Sequence, residues 1–334
     1  MSISRQNDVP LASISTFRMG GMAREVVTVE TEADLMELFQ TMPSGKKWFV
    51  LGGGSNVVFP DGDCDTLLIR LAPGAPKIEH VSEDDALLTV PAGAVWDDVV
   101  AFAVAHDLSG IEALSAIPGT AGATPIQNVG AYGTETSDVL VSVRAYDVLL
   151  QKIVSFTNKE CRFGYRDSIF KNEGKGRYII TEVTYALSRE LPNVPQYPGV
   201  ADYLAKHEIS MASLSDIRNA IISIRANKLP DPKEIASVGS FFKNAFVPSD
   251  HAARLKAEFP TLAVFPVDEK ISKVGAGSLI DTLGLKGKKF GNLSIYKGNA
   301  LVLVNDGGAT RAELAALVDR SEERRVGKEC LRLC

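Results

Sequence analysis

The sequence predicts a mixed α and β protein of more than one domain, and three observations support this prediction. The chain has 334 residues, more than the roughly 100 to 200 residues that one domain usually holds. Segments with helical periodicity occur among short apolar runs that are typical of strands. A proline-rich break at residues 229–232 follows a long helical pattern, and we place a domain boundary there.

In the first half, capping residues and periodicity indicate the elements. Thr31 and Asp34 are expected to cap a helix that ends near Pro43. A second helix is expected at 95–106, where Val95, Val99 and Phe102 share one face. Strands are expected at 48–51, 67–71, 87–90, 141–148 and 178–187.

In the second half, the same signals are weaker but present. A long helix is expected from residue 215 to the proline-rich break, and another at 276–283. Residues 300–305 form an apolar run that predicts a buried strand. Thr310 and Glu313 have the spacing of a capping box, so a final helix is expected to begin there.

Composition indicates an ordinary globular protein. Hydrophobic residues make up 45% and charged residues 23% of the chain, and no stretch approaches the ~20 apolar residues that a membrane span needs. The net charge of −5 argues against a nucleic-acid surface, because phosphate backbones are bound by clustered cations. The cysteines and histidines lack metal-type spacing, so we expect no metal site and a location in the reducing cytoplasm.

A glycine-rich loop follows the strand expected at 48–51. Its residues Gly52, Gly53, Gly54, Ser55 and Asn56 can offer backbone N–H groups to a pyrophosphate without obstruction by side chains. Alone, the loop is a weak signal and is more typical of an ordinary glycine turn. It matches neither GxGxxG nor GxxxxGK[ST], so a nucleotide fold of another kind is required.

A second glycine-rich segment covers residues 117–133. Small residues alternate there with hydroxyls and amides, and Thr124, Gln127 and Asn128 can donate or accept hydrogen bonds without charge. This pattern suits a flavin and its diphosphate. The alternative is a long structural loop, although ordering so many glycines has an entropic cost.

Two later segments carry candidate catalytic residues. Arg166 stands among aromatic residues in 162–171, where a guanidinium can stabilise an enolate; a surface salt bridge is the alternative. Ser240 lies in 239–244 without a GxSxG elbow or a neighbouring histidine, which disfavours a hydrolase nucleophile. Proton donation is a better role for Ser240 than nucleophilic attack, but a serine beside Phe241 and Phe242 is more often a packing residue.

These segments, with residues 15–21 near the N-terminus, resemble the flavin-dependent UDP-N-acetylenolpyruvoylglucosamine reductases of cell-wall synthesis in order and spacing. The resemblance implies an α+β protein with a two-lobed FAD-binding fold of the vanillyl-alcohol oxidase type (lobes 1–72 and 73–229) and a third, substrate-binding domain (230–319). It further implies non-covalent FAD, NADPH as the reductant and UDP-N-acetylglucosamine enolpyruvate as the substrate. We expect a monomer with no nucleic-acid or membrane partner.

The resemblance also implies a role for individual residues. Arg166 would stabilise the enolate, and Ser240 would deliver a proton to the carbon next to the carboxylate. The FAD diphosphate would be held by Gly53, Gly54, Ser55 and Asn56, and the flavin would be lined by Ile117, Pro118, Gly119, Gly122 and Thr124. Substrate or nicotinamide contacts would come from Tyr165, Tyr197, Arg225, Lys228, Lys243, Asn244 and Asn299. Tyr197 indicates the subgroup in which a loop tyrosine closes over the substrate diphosphate.

The C-terminal segment departs from the family pattern. Residues 320–334 do not resemble the family segment that carries a second catalytic glutamate, and we interpret them as a foreign tail joined to a truncated gene. The role of that glutamate is therefore assigned to no residue. Two alternatives stay open: another FAD-dependent oxidoreductase of the same fold, such as a sugar or lactone oxidase, and a truncated FAD-binding protein with little activity.

Overall fold

A computed structural model describes residues 3–190 and 192–323. Residues 324–334, most of the segment interpreted as foreign, lie outside the described residues. The chain forms two compact units: Met1–Val9, Ala23–Gly54 and Cys64–Arg225 make the first, and Pro10–Met22, Ser55–Asp63 and Ala226–Cys334 make the second. The expected domain boundaries after residues 72 and 229 stay predictions.

The first unit alternates strands and helices, and a few terminal residues of these elements lie across its junctions. The strands are β1 (Ser4–Pro10), β2 (Met22–Val29), β3 (Trp48–Val50), β4 (Leu67–Leu71), β5 (Lys77–His80), β6 (Asp85–Pro91), β7 (Gly130–Ala131), β8 (Thr134–Glu135), β9 (Leu140–Asp147), β10 (Lys152–Thr157) and β11 (Tyr178–Ser188). The helices are α1 (Glu32–Thr41), α2 (Trp96–Ala105), α3 (Thr136–Val139), α4 (Pro198–Lys206) and α5 (Leu214–Lys228).

Two main sheets organise this unit. One has the strand order β1-β2-β4-β3, in which β4 runs parallel to both β2 and β3. The other has the order β10-β9-β11-β6-β5 with antiparallel neighbours. Leu35 and Leu38 of α1 pack with Ile69 of the first sheet and with Tyr146 of the second. A shared apolar core therefore joins the two sheets.

A second core positions the loops that follow β6 and α2. Trp96 and Tyr185 are buried with their ring centroids 5.6 Å apart. The Trp96 indole N–H donates to the Leu114 carbonyl over 3.1 Å. This bond satisfies a buried donor and fastens the residues before the second glycine segment to α2.

The second unit contains two smaller antiparallel sheets. Its elements are β12 (Ser237–Ser240), β13 (Ala245–Pro248), α6 (Ser249–Glu258), β14 (Val264–Pro266), β15 (Ile271–Val274), α7 (Ala276–Thr282), β16 (Lys289–Phe290), β17 (Leu293–Ile295), β18 (Val302–Asn305) and α8 (Arg311–Glu323). The sheet orders are β12-β18-β17-β16 and β13-β15-β14. Phe17, Ile280 and Leu303 belong to the core of the first of these sheets.

The elements expected from the sequence are confirmed within a few residues at their ends. Thr31 and Asp34 form the capping box of α1. Thr310 and Glu313 bond each other's backbone amides over 3.2 and 2.9 Å at the start of α8. In the part of the chain that is described, no helix is both long and apolar enough to cross a membrane.

Candidate active site

The glycine loop after β3 lies against the second glycine segment. Gly54 has a φ of +68°, which glycine adopts without steric strain. A Cβ at Gly53 would stand 3.0 Å from the Gly119 Cα, and a Cβ at Gly52 would stand 2.9 Å from the Thr120 Oγ1. Larger residues would force the two segments apart. The fold thus brings together two of the stretches that the sequence assigned to one cofactor.

Backbone hydrogen bonds fix the second segment to the loop that follows β6. The Gly122 amide donates to the Ala92 carbonyl, and the Ala121 amide donates to the Ala94 carbonyl, each over 2.9 Å. A Cβ at Gly122 would lie 2.5 Å from the Ala92 Cβ, so this close approach requires glycine. Residues 117–124 therefore present an ordered backbone surface.

Thr124, one of the residues expected to line the flavin, is buried and stabilises this backbone surface through its hydroxyl. Only 2% of its surface is exposed. Its hydroxyl donates to the Ala121 carbonyl over 2.8 Å and lies 2.7 Å from the Tyr185 hydroxyl. Burial raises the pKa of Tyr185, so the phenol stays protonated and available as a donor. Contact between Thr124 and a cofactor stays a prediction.

A pair of charged side chains holds Ala116, the residue just before the flavin segment. Ala116 has a φ of +56°, a strained conformation for a residue with a Cβ. Its amide donates to Asp97 Oδ1 over 2.6 Å, and its carbonyl accepts from Arg225 Nε over 3.2 Å. Hydrogen bonds thus hold the strained residue through both its amide and its carbonyl. Arg225, which was expected to contact substrate, stabilises the backbone here.

Arg218 completes this clamp. It donates to both oxygens of Asp97, over 2.6 and 2.9 Å. Burial alone would favour the neutral acid, but the hydrogen bonds from Arg218 and Ala116 lower the pKa of Asp97 below its ordinary value. Arg218 and Arg225 both belong to α5 and lie two turns apart, on one face of that helix. Asp97 and Arg218 were not predicted from the sequence. The position of Arg218 on the same helical face as Arg225 was the signal that could have indicated it.

Arg166 lies at the tip of a tight turn. The turn is closed by hydrogen bonds between Gly164 and Asp167 over 3.1 and 3.2 Å, and Arg166 itself has a φ of +54°. The guanidinium lies 5.3 Å from the centroid of the Tyr165 ring and donates to the Gly130 carbonyl. Because Gly130 belongs to the second glycine segment, the structure joins the expected enolate-binding cation to the expected flavin segment.

A carboxylate that sequence reasoning missed also contacts Arg166. Glu135 Oε1 lies 3.3 Å from Arg166 Nη1 in an ion pair. The other oxygen of Glu135 accepts a hydrogen bond from Asn128 Nδ2 over 2.8 Å. Asn128 is buried, with 1% of its surface exposed. No short motif links Glu135 to Arg166, since the hairpin of β7 and β8 brings the carboxylate into place.

Tyr197 packs beside that same hairpin. It stands at the start of α4, and its ring meets the Tyr132 ring edge to face, with centroids 5.0 Å apart. Tyr132 and Gly133 have φ values of +54° and +88°, typical of a two-residue type I′ turn between β7 and β8. Closure of Tyr197 over a substrate stays a prediction.

In the second unit, Ser240 follows a register shift in the pairing of β12 with β18. It is the last residue of β12 and pairs with Val302 of β18. Gly239 before it has a φ of +64°, a conformation suited to glycine. The Ser240 side chain is exposed. A serine oxygen is only one bond from Cβ, so the backbone limits the hydroxyl to a few χ1 rotamers.

The other expected substrate contacts of the second unit lie near turns and helix ends. Asn244 accepts a hydrogen bond from the Ala276 amide at the start of α7 over 3.1 Å. Asn299 accepts one from the Leu301 amide over 3.0 Å. Lys228 is exposed at the end of α5, and Lys243 is half-buried after β12. The two asparagine oxygens thus stabilise backbone, and all four substrate contacts stay predictions.

The residues of the first unit fit FAD. Two backbones approach so closely at Gly53 and Gly119 that a Cβ would fill the space between them, and glycine amides that no side chain obstructs suit a diphosphate. Within residues 3–190 and 192–323, no group of three or more His, Cys, Asp or Glu side chains could hold a metal ion.

Comparisons with known families agree with this geometry. A family model described as an FAD binding domain matches residues 23–149. A second, described as the C-terminal domain of UDP-N-acetylenolpyruvoylglucosamine reductase, matches residues 231–328. The two matches fall in the order expected from the sequence, the first in the N-terminal half of the chain and the second in its C-terminal part.

Similar proteins extend over nearly the whole chain. A UDP-N-acetylenolpyruvoylglucosamine reductase of Flavobacterium johnsoniae is 41% identical, over 92% of this chain and 91% of the relative. The enzyme of the same name from Pseudomonas aeruginosa is 39% identical over 98% of each chain. The solved structure of the Thermus caldophilus reductase matches with a TM-score of 0.67 and 26% identity, over 97% of this chain and 95% of that one. The expected two-lobed FAD-binding fold with an added α+β domain is confirmed, and the chain belongs to the UDP-N-acetylenolpyruvoylglucosamine reductase family of FAD-dependent oxidoreductases.

Proposed function

We propose that this protein reduces UDP-N-acetylglucosamine enolpyruvate to UDP-N-acetylmuramate with electrons from NADPH. The observation that carries the proposal is the junction of the two glycine segments with Arg166, which donates to the Gly130 carbonyl at the end of the second segment. A cation beside a flavin-binding backbone suits reduction of a carboxylate-conjugated double bond. Bound FAD would supply the hydride to the terminal carbon of that bond.

Gly53, Gly54, Ser55 and Asn56 would hold the diphosphate of the cofactor through backbone amides and short polar side chains. Ile117, Pro118, Gly119, Gly122 and Thr124 would line its ring system. The close approach of Gly53 to Gly119 supports this division, since a Cβ would fill the space between them. The Asp97 clamp would keep the residues after Ala116 in the conformation that the ring system requires.

Arg166 would stabilise the negative charge that develops on the carboxylate-conjugated carbon when hydride arrives. Ser240 would then donate a proton to that carbon. The two roles suit the two side chains. A guanidinium stays protonated at all relevant pH values, and a hydroxyl can lose a proton without leaving a buried charge behind when it is exposed, as Ser240 is.

The substrate diphosphate and the nicotinamide nucleotide would be bound by cations and hydrogen-bonding groups. Their set is Tyr165, Tyr197, Arg225, Lys228, Lys243, Asn244 and Asn299. Arg225 could serve two purposes, since its Nε already holds the Ala116 carbonyl and a guanidinium has further N–H groups.

We further propose a monomeric protein that works in the cytoplasm. Both substrates are charged nucleotides, and the thiols of Cys64 and Cys161 are free rather than paired in a disulfide, as is usual in a reducing compartment. Gel filtration of the purified protein tests the oligomeric state.

The decisive test of the function is anaerobic spectroscopy of the purified protein. NADPH should bleach the absorption of the bound flavin near ~450 nm, a band that belongs to the cofactor. Addition of the enolpyruvyl nucleotide should restore that absorption, with one equivalent of UDP-N-acetylmuramate formed for each equivalent of flavin. A preparation that holds FAD and is not bleached by NADPH would refute the proposal.

A further inference from the structure

The polar groups around Arg166 form two connected layers. In the inner layer, the guanidinium bonds Glu135 Oε1 at 3.3 Å, the Asn128 carbonyl at 3.3 Å and the Gly130 carbonyl. In the outer layer, Asn128 Nδ2 donates to the second Glu135 oxygen over 2.8 Å and to the Gly164 carbonyl over 3.2 Å. Asn128 therefore connects the carboxylate to the base of the turn that carries Arg166.

The hairpin of β7 and β8 places these groups by its register. Gly130 pairs directly with Glu135, so the Gly130 carbonyl and the Glu135 carboxylate reach the guanidinium from neighbouring strands. A Cβ at Gly130 would stand 2.7 Å from the Glu135 Cγ and 3.0 Å from Arg166 Nη1. Only glycine leaves room for this contact, which indicates that the packing of Arg166 on Glu135 is specific.

The backbone at Asn128 and the backbone at Arg166 share a left-handed conformation. Asn128 and Arg166 have φ values of +45° and +54°, a left-handed conformation that asparagine tolerates and that costs free energy for arginine. The Arg166 carbonyl accepts a hydrogen bond from Lys171 Nζ over 3.1 Å, and the Asn128 Oδ1 accepts one from the Ser137 amide over 2.9 Å. Such strain persists where surrounding contacts over-determine the conformation, as they do here.

We infer that Glu135 is a positioning residue for the reductive step: its carboxylate, held by Asn128, fixes the Arg166 guanidinium in the orientation that meets the developing enolate. The inference rests on the proposed function. A free arginine side chain would lose rotamer entropy each time it met the transition state. Glu135 removes that cost in advance, which is the general advantage of a preorganised charge.

The test separates the two halves of the catalytic cycle. In Glu135→Gln the amide keeps the size of the side chain but loses its charge, and its NH2 group opposes the N–H of Asn128. The rate at which the enolpyruvyl nucleotide reoxidises reduced flavin should fall on the order of 10- to 100-fold. The rate at which NADPH reduces the flavin should stay within about twofold. Binding of UDP-N-acetylmuramate, measured by calorimetry without turnover, should weaken about tenfold.

A matched control tests whether the structural role of Glu135 at the start of α3 explains the loss of rate. Glu135 and Asp138 form a capping box there, and the Glu135 amide donates to Asp138 Oδ2 over 2.7 Å. Asp138→Asn weakens the same cap without a contact to Arg166, and both half-reactions should stay near the wild-type rates. Equal losses in Glu135→Gln and Asp138→Asn would overturn the inference. Glu135→Asp, which keeps the charge, should recover part of the rate and gives a second reading if the glutamine variant folds poorly.

A double-mutant cycle distinguishes failure of this inference from failure of the proposed function. In an Arg166→Gln background, Glu135→Gln should cause no further loss, since Glu135 acts through Arg166. If Arg166→Gln alone leaves flavin reoxidation unchanged, the proposed role of Arg166 is wrong. If Arg166→Gln slows reoxidation and Glu135→Gln does not, the role of Arg166 stands and the positioning role of Glu135 is wrong.

Discussion

Arg166 and Ser240, the two residues proposed to act on the same substrate carbon, are held in very different ways. Arg166 belongs to the first unit, has a left-handed backbone and is braced by Glu135, Asn128 and Gly130. Ser240 belongs to the second unit, is exposed and pairs with Val302 at the end of β12, after a register shift. A long, flexible cation requires a network to fix its position, whereas the backbone limits a serine hydroxyl to a few rotamers.

The largest effect is expected for Ser240→Ala. If Ser240 is the proton donor, its loss should slow flavin reoxidation by the enolpyruvyl nucleotide about 100- to 10,000-fold, the usual range for a general acid. Because Ser240 is exposed at a strand end, the melting temperature should stay within about 1 °C. Stopped-flow absorbance measures the rate, and a thermal melt measures the stability.

A loss of rate that follows a loss of stability would show that Ser240 acts through packing and not as a proton donor. Ser44→Ala, at an exposed turn position after α1, is the control for serine removal in general.

Arg166→Gln should have a slightly smaller effect on rate and a larger one on structure. Loss of one preorganised charge at an enolate typically slows the step about 100- to 1000-fold. The variant also leaves Glu135, which pairs with Arg166, without its cation, so the melting temperature should fall, unlike that of Ser240→Ala. Arg162→Gln, an exposed arginine of the same segment that pairs with Glu173, should leave both the rate and the melting temperature near wild type. Equal melting temperatures of Arg166→Gln and wild type would show that the contacts of Arg166 do not stabilise the folded protein.

The Asp97 clamp extends the comparison to the cofactor. Asp97→Asn should weaken FAD binding about 10-fold or more, since a hydrogen bond to a charged group typically contributes about 1.5 to 3 kcal/mol. Fluorescence titration of the cofactor-free protein with FAD measures the change. Asp98→Asn alters an exposed neighbour in the same helical turn and should leave affinity unchanged. Similar affinities in Asp97→Asn and Asp98→Asn would show that the strained Ala116 peptide does not influence the cofactor.

The pH dependence of this clamp has a defined sign. The folded-state pKa of Asp97 is lowered, with burial opposing the hydrogen bonds from Arg218 and Ala116. Its contribution is therefore fully present above the ordinary aspartate pKa of about 4 and is lost as the pH falls through the lower, folded value. Asp97 is therefore ionised throughout the range from about pH 5 to about pH 8. FAD retention by the wild-type protein should not change through Asp97 within that range.

The local part of this architecture could be predicted from the sequence, and the long-range part could not. The capping boxes at Thr31 and Thr310 and the two glycine segments have signals within a few residues, because hydrogen bonds at helix ends and tight backbone turns are local. The resemblance to a known family added the cofactor and the roles of Arg166 and Ser240. These residue roles stay predictions.

The ion pairs that position the site have no comparable signal. Asp97 and Arg218 are separated by 121 residues, and Glu135 and Arg166 by 31. Their meeting depends on how α5 packs on α2 and how the hairpin of β7 and β8 lies against the Arg166 turn, which is tertiary structure. A surface ion pair and a positioning ion pair have the same residue types, so only geometry separates them.

The smallest expected effect concerns Cys161, which lies shortly before Arg166 in the braced part of the first unit. Burial, with a smaller contribution from Glu160, raises the pKa of this thiol to about 12. An unfolded thiol ionises near pH ~8.5, so the stability that the neutral thiol contributes is present below that pH and declines as the pH rises above it. Between pH 7.5 and 9.5 the free energy of unfolding should fall by about 1 kcal/mol more in wild type than in Cys161→Ala, measured by urea titration.

The other thiols ionise in both proteins and cancel in this difference. Equal pH dependence in the two proteins would mean that the segment leading to Arg166 opens to solvent readily, and the rigid placement of the cation would then lack its support.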